Sequence, residues 1–425
     1  MTRARLPDEV AARIVDPNAY EEWNQLQADF TRLRKEAPLA VAEVDGYDPF
    51  WVVTKHADIQ EIGRQPEIFH NNGSRAALTS QAGFRLQLEQ RDTNPPLRTL
   101  VAMDPPEHAA YRLLTFGDFA PKAIGGLQET IRALARESID EMVACGERCD
   151  FLKDVALRFP LRVIMHLLGV GRADEALLMQ MTQEFFNPED PDLNATGEGH
   201  DLTVAEPTAR EALLRVQGYF KDLTDERRAN PTDDVASKIA NGRVDGRLLT
   251  YEETFGYYVA IATAGHDTTS SSAAAGLWAL AERPEQFARI KGDPSLIPLL
   301  VNESIRWATP LNHFMRTARQ DYELRGQRIR QGDWLFLSYP SANMDEEVFE
   351  RPHEFIADRN PNKHIAFGFG PHLCIGQHLA RLELTLLFEE LFKRLESVEL
   401  DGIPKRTRSI FVGGIKTVPI RFKLN

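Results

Sequence analysis

The residues best able to do chemistry in this chain stand together in Phe367-Gly368-Phe369-Gly370-Pro371-His372-Leu373-Cys374-Ile375-Gly376. Glycines let a backbone take left-handed turns and come close to a flat ligand. The periodic run QHLARLELTLLFEEL follows at once, so Cys374 lies at a helix N-terminus, where the dipole and free N–H groups favour thiolate. A stabilised thiolate in a rigid loop is what an iron ligand requires. Cys145 and Cys149, four apart in CGERC, could form half a metal site. With no Cys/His pair nearby to complete a ligand set, they read as helix-end cysteines.

Two further motifs have chemical potential. Ala264-Gly265-His266-Asp267-Thr268-Thr269 lies inside a proline-free stretch, Thr250 to about Glu282, that reads as one long helix. Ile261, Ala264, Gly265, Thr268 and Ser272 share a face of it at helical spacing, and that face is small enough for a macrocycle to lie against. A threonine there can bond back to the i−4 carbonyl and bend the helix. By themselves these residues read as a packing seam, and His266 sits one residue off the stripe, which argues against a distal iron ligand. Glu303-Ser304-Ile305-Arg306 sets an acid and a base three apart on one helix face. Taken alone, such a pair is a weak surface contact.

The cysteine loop, with these two motifs behind it, resembles the cytochrome P450 family, the haem-thiolate monooxygenases, and the rest of the chain supports the match from end to end. The resemblance implies a mainly α fold with small β-sheets (α+β). Haem b would be sandwiched between the long distal helix and the proximal helix after the cysteine loop, in a single domain over 1–425. It implies Cys374 as the iron ligand, with Phe367, Gly368 and Gly376 around the cofactor and His372 on a propionate. His108 and Arg112, which follow Asp104-Pro105-Pro106, and Arg316 would be further propionate donors. Ala264 and Gly265 would lie against the haem, and Thr268 and Asp267 would deliver protons to the oxygen chemistry. Glu303, Arg306 and either Arg359 or Arg351 would form a structural trio.

The expected substrate contacts are Ile261, Ala264, Leu311, Phe314 and Phe411, which implies a small hydrophobic substrate. Asn312 and His313 could add one hydrogen bond. The strings GYDPFWVVTKHADI, AIATAGHDTTSSS, LSYPSAN and FVGG are similar to the soluble bacterial branch that includes the α-terpineol hydroxylase. A monoterpenoid or a small aromatic hydrocarbon is therefore expected. About 50 residues follow the cysteine loop, too few for a flavin or iron–sulfur domain. Electrons are thus expected from a [2Fe–2S] ferredoxin with an NAD(P)H-dependent reductase, the ferredoxin docking over Cys374 on Arg75, Arg112, Lys363 and Arg381. A peroxide-driven haem-thiolate enzyme or a non-catalytic haem sensor would have no need of the Thr268–Asp267 pair.

Several elements must position these groups. A hairpin is expected over 39–55 with its turn at Asp45-Gly46, then a helix at 57–65 and a long lid loop at 70–102. Asp104 should cap a helix with proline in its first turn. Helices follow over 121–145 and 151–187, broken near Pro160 and Gly169, then a second, acidic lid at 187–208. Further on come a helix at 295–308, strands at 313–340, an irregular segment at 345–366 and a helix at 376–396. Composition sets the outer bounds: 43% hydrophobic and 27% charged residues describe a packed globular chain. Lys plus Arg number 50 against 63 acidic residues, so the charge of −13 argues against nucleic acid as a partner. No apolar run reaches the roughly 18 residues of a spanning helix, the start lacks a signal-peptide core, and three cysteines cannot make a secreted disulfide framework. A cytoplasmic monomer without a membrane partner is expected.

Overall fold

A computed structural model describes residues 3–71, 75–89, 97–186, 188–193 and 202–425, without the side chains of 202–213. The fold is mainly α with small sheets, as the resemblance implied. The helices that frame the site are α1 (His56–Gly63), α2 (Glu107–Phe116), α3 (Gln128–Ala144), α4 (Arg158–Leu168) and α5 (Glu175–Phe186). They continue with α6 (Leu202–Ala229), α7 (Tyr251–Ala281), α8 (Ile297–Ala308) and α9 (Gln377–Arg394).

The main sheet joins β1 (Leu39–Ala42), β2 (Phe50–Val53), β3 (Phe69–His70), β4 (His313–Ala318) and β5 (Trp334–Ser338) in the order β1-β2-β5-β4-β3. β1 and β2 are the expected hairpin, Leu39 opposite Val53, and β5 runs parallel to β2 and antiparallel to β4. Alternate side chains go to opposite faces. Ala40, Phe50, Val52 and Phe336 pack with Val10 and Phe30, whereas Val41, Trp51, Val53 and Leu335 pack with Ile59 and Ile62 of α1. Both faces are buried, so the strands read as unbroken apolar runs.

Helix α7 is the axis of the larger core, packed against α4, α5 and α8. Thr250 and Glu253 close its N-terminus as a capping box. Its hydroxyls are mostly turned inward on the helix itself: Thr263, Ser270 and Ser272 donate to Val259, His266 and Thr268 carbonyls. That is how a buried helix can carry so many of them.

The irregular segment before the cysteine loop is held by Glu303. Its carboxylate takes a bidentate pair from Arg306 at 2.7 and 2.8 Å, Arg359 Nε at 3.0 Å and the Ile356 N–H at 2.9 Å. Arg306 also donates to the Asn343 and Pro352 carbonyls, and Arg359 to those of Glu350, Arg351 and Glu354. Arg359 is the third member; Arg351 is exposed and pairs with Glu354.

Four expectations are corrected. The stretch at 70–102 holds a helix, Gln81–Glu89, and a 3-10 turn, Leu100–Ala102, while 72–74 and 90–96 lie outside the described residues. Asp104 does not cap α2: Pro106 holds the cap position, and the Asp104 carboxylate accepts the Asn71 N–H at 2.7 Å. Pro160 does not break a helix, because it sits in the first turn of α4 where no N–H is needed; the irregularity is the π-helical turn Leu152–Ala156 before it. Of the second lid, 187 and 194–201 lie outside the described residues, and α6 already begins at Leu202.

Glu303→Gln should therefore be severe. Two guanidinium groups would remain buried without their counter-charge, a loss of about 3–5 kcal/mol, read as a lower thermal midpoint and a poor yield of haem-loaded protein.

Candidate active site

Between Gly256 and Leu280, helix α7 is buried except at Ala260, Ala264, Gly265, Thr268 and Trp278. Ala260, Ala264 and Thr268 are successive one-turn neighbours, so a long buried helix opens along one short stripe. Ala264 is exposed there, in the middle of the chain's main core. The Thr268 hydroxyl donates to the Ala264 carbonyl at 2.8 Å, which leaves its oxygen lone pairs free to accept. The expected stripe was one position broad of this. Ile261 belongs to the packed core, and Ser272 is buried with its hydroxyl on the Thr268 carbonyl. Gly265 is needed for a different reason from the one expected: a Cβ on it would meet Ile164 of α4 at 2.5 Å.

The cysteine loop is shaped by its glycines. Gly368 and Gly370 have φ of 75° and 76°, and a Cβ on Gly370 would run into the Gly63 carbonyl of α1 at 1.9 Å. The Cys374 N–H donates to the Phe367 carbonyl at 2.9 Å, closing the loop ahead of α9. Burial pushes the Cys374 thiol up, against the N–H groups of Gly376 and Gln377 and the charges of Arg112 and Arg381. The helix end favours the thiolate, as expected, but burial outweighs it. A bound cation would secure the thiolate, since a coordinating thiol is deprotonated outright.

Four basic side chains converge beside this loop. His108 and His372 lie ring to ring, 4.0 Å between centroids. Arg112 donates to the Leu373 carbonyl at 2.7 Å, and Arg316 is buried with one N–H on the Met315 carbonyl. Burial and then Arg316, His108 and Arg112 push His372 down to about 2, and burial and Arg112 push His108 down. A recess that suppresses positive charge on its own histidines calls for anions, and this donor set fits two carboxylates. Asn71 was not foreseen: its side-chain nitrogen is 3.2 Å from His372 Nε2, 301 residues away in sequence. An exposed stripe, a half-buried cysteine and a cationic recess are the parts that an iron porphyrin with two propionates requires.

Leu311, Phe314 and Phe411 are half-buried together, Phe314 edge-on to Phe411 at 5.6 Å, and Leu311 is bridged to Val412. His313 is not available to a ligand, because Nε2 accepts the Leu78 N–H at 3.0 Å and Nδ1 lies 2.8 Å from the Ile410 carbonyl. Asn312 is likewise turned to the Ser409 carbonyl. Residues 188–193 are pinned to this wall. Asp190 pairs with Lys416 at 2.8 Å, both buried, and Glu189 accepts the Ile410 N–H. Burial pushes the Glu189 carboxyl up to about 7.

On the outer side of the cysteine loop lies a groove of about 530 Å³ lined by Lys363, Phe367, Phe369, Leu373, Gln377 and Arg381, among others. Lys363 is exposed, and Arg381 stacks on Phe367 at 4.5 Å. Arg75 does not belong to this face. Its guanidinium lies between the rings of Trp334 and Phe84, at 3.7 and 4.0 Å. Arg112 is half-buried beside His108 and turns one N–H to the loop's own Leu373 carbonyl, so it faces the recess rather than this groove. Among the described residues no helix is long and apolar enough to cross a membrane.

A model of the cytochrome P450 family matches residues 295–424. Over 424 residues the chain is 45% identical to Cytochrome P450-terp of a Pseudomonas species, covering 99% of both proteins. It superposes on the crystal structure of CYP108D1 from Novosphingobium aromaticivorans with a TM-score of 0.90 at 41% identity, over 99% of this chain and 100% of that one. It also matches the cytochrome P450 CYP268A2 of Mycobacterium marinum, in complex with pseudoionone, with a TM-score of 0.89 at 30% identity, over 99% and 100%.

If Arg316 holds a carboxylate of the cofactor, Arg316→Gln should weaken haem retention roughly ten- to a hundredfold, the worth of one hydrogen bond to a charged group. The rate of haem transfer to apomyoglobin measures it, with circular dichroism as the check on folding.

Proposed function

The chain belongs to the cytochrome P450 family and is a haem-thiolate monooxygenase with haem b as cofactor, and we propose that it hydroxylates a small hydrophobic substrate, a monoterpenoid or an aromatic hydrocarbon. The observation that carries this reading is the open stripe of α7, where Thr268 stands half-exposed beside a buried Asp267. A haem sensor would have no use for that pair. O₂ is the co-substrate, and the electrons come from a [2Fe–2S] ferredoxin served by an NAD(P)H-dependent reductase. The chain works as one unit in the cytoplasm, as a monomer.

Haem, when bound, supplies the one-electron and O₂ chemistry. The residues of this chain do the rest. Cys374 would hold the iron from the α9 side, and His108, Arg112, Arg316 and His372 would take the two propionates. Phe367, Gly368 and Gly376 would line the proximal face, with Ala264 and Gly265 on the distal one. Thr268 presents an acceptor oxygen over the open stripe. Asp267 stands one residue away with a carboxyl that burial pushes up, so it can keep a proton to give. Leu311, Phe314 and Phe411, with Ala264, would form the substrate wall, and their apolar surface would exclude water from the reacting carbon; Ile261, expected there too, lies behind it in the core.

The substrate reading draws on two relatives: the name Cytochrome P450-terp, and the pseudoionone held by the Mycobacterium marinum protein. The wall itself is aromatic and aliphatic, and its two nearest polar side chains, Asn312 and His313, are bonded to backbone. A ligand with few polar handles fits that description.

Two experiments test this. Titration of the ferric protein with terpenoids and with aromatic hydrocarbons should move the Soret band from low to high spin with one class. The reduced carbonyl complex should show the long-wavelength Soret band of thiolate ligation, absent in Cys374→His. No spin shift with either class would refute the substrate reading. For the partner, Lys363→Glu should slow ferredoxin-to-haem electron transfer at low salt, with the difference shrinking as salt rises; stopped-flow kinetics at two ionic strengths would show it.

A further inference from the structure

His266 is wholly buried, on the side of α7 turned away from the open stripe. Its Nε2 lies 2.7 Å from the Leu157 carbonyl, just ahead of α4. A carbonyl only accepts, so Nε2 carries a hydrogen in every protonation state. Nδ1 then faces two oxygens, Thr182 Oγ1 of α5 at 2.9 Å and Asp267 Oδ1 at 3.2 Å. The Thr182 hydroxyl is itself 2.9 Å from the Met179 carbonyl, which claims its only hydrogen. A neutral His266 beside an ionised Asp267 would thus set lone pairs against one another in a site closed to water. A single proton resolves this, placed on Nδ1 or on Oδ1 and bridging to the other.

The second oxygen of Asp267 points elsewhere. Oδ2 is buried, has no hydrogen-bond partner among the described residues, and borders a cavity of about 50 Å³. Lys153, Gln183, Ser271, Thr407 and Lys416 line that cavity with it. A water needs roughly 10–15 Å³ and two or more polar partners, so a short file of waters fits. The Lys153 side chain is 61% exposed, which brings the cavity to the surface.

We propose that His266 and Asp267 share one proton and act as the proton store for the oxygen chemistry over Thr268, refilled through the cavity behind Asp267 Oδ2. The proposal rests on the reading of Thr268 and Asp267 as the delivery pair. In each delivery the Asp267 O–H breaks, its proton passes toward Thr268, and the electron pair stays on the carboxylate. A water at Oδ2 then gives a proton to the carboxylate and is itself reprotonated along the cavity from the surface, so that the pair again holds one proton for Nδ1 and Oδ1 to share. Monooxygenation takes up two protons and two electrons with one O₂ and releases one water, so the store empties twice per turnover, and the electrons come from the reduced partner. His266 is a positioning residue here, acting through Asp267.

The groups facing the pair are Leu157 O and Lys153 from the α4 side, Thr182 and Gln183 from α5, Thr407 and Lys416 from the C-terminal hairpin, whose strands Lys405–Arg406 and Ile415–Thr417 pair antiparallel, and Ser271 on α7. Of these only the lysines carry charge, and Lys416 is matched by Asp190 and Asp192. His266 opposes the upward push of burial on Asp267, so its removal raises the carboxyl further.

The test is infrared difference spectroscopy of the haem-loaded protein against pH. The Asp267 carbonyl band is identified by its loss in Asp267→Asn, and the His266 ring band by isotope-labelled histidine. Both bands should change at one shared midpoint, the behaviour of a coupled pair. In His266→Gln the carboxyl should keep its proton about one pH unit higher or more, and the solvent deuterium isotope effect on product formation should at least double, at unchanged haem content. Separate midpoints in the wild type overturn the proposal, and so does a haem-loaded His266→Gln with both readouts unmoved. Should that variant take up no haem, the wild-type midpoints decide. An Asp267→Asn protein as fast and as tightly coupled as the wild type would refute the delivery pair itself. Loss of coupling in Asp267→Asn alone would refute only the store.

Discussion

Helix α7 must be packed on nearly every side and yet stay open along Ala260, Ala264 and Thr268. The rest of the structure answers to that constraint. A buried helix cannot leave polar groups unmatched, so Thr263, Ser270 and Ser272 return their hydroxyls to carbonyls one turn back, and His266 spends its Nε2–H on the Leu157 carbonyl. Gly265 lets Ile164 in, and Gly276 admits the Ser304 side chain of α8, where a Cβ would meet Oγ at 2.3 Å. Each contact closes one flank of the helix and leaves the stripe as the one place where a large flat group can approach.

On the other side of that gap the constraint is electrostatic. The cationic recess and the Cys374 thiol are both poorly matched as they stand: loss of solvent holds the thiol up and holds His108 and His372 down. A dicarboxylate carrying a metal cation resolves both at once, with its anionic groups against Arg112 and Arg316 and its cation against sulfur. Haem is thus the missing counter-charge of two separate clusters, and it should stabilise the folded chain by mass action. The Glu303 knot serves the same end indirectly, since it fixes the irregular segment that leads into the loop.

Much of this was legible in the sequence where the cause is local. The glycines of the cysteine loop, the Thr250 cap of α7, the hairpin turn and the pairing of Glu303 with Arg306 each depend on residues a few positions apart. What could not be read depends on partners far along the chain. Nothing near Arg75 announces that Trp334 and Phe84 enclose its charge, nor near His313 that Leu78 and Ile410 use both its nitrogens. Asp104 looked like a cap because the local pattern fits one; Asn71, from the end of β3, claims its carboxylate first. The helix Gln81–Glu89 was missed because the polar, weakly periodic sequence around it has only Gly83 buried within the helix.

The substrate wall and the proton route meet in one structure, the C-terminal hairpin. Phe411 packs edge-on to Phe314 and Ile410 joins the core beside the main sheet, while Thr407 and Lys416 line the water-sized space behind Asp267. Lys416 also binds Asp190, with both groups buried, so pulling residues 188–193 off the hairpin would strand a charge inside the protein at a cost of about 3–5 kcal/mol. The hairpin is therefore a fixed partition. It holds Phe411 against Phe314 on one side and Thr407 and Lys416 beside the space behind Asp267 on the other. On the proposed mechanism that separation matters, because water admitted beside the reacting carbon would compete for the protons that Asp267 would direct.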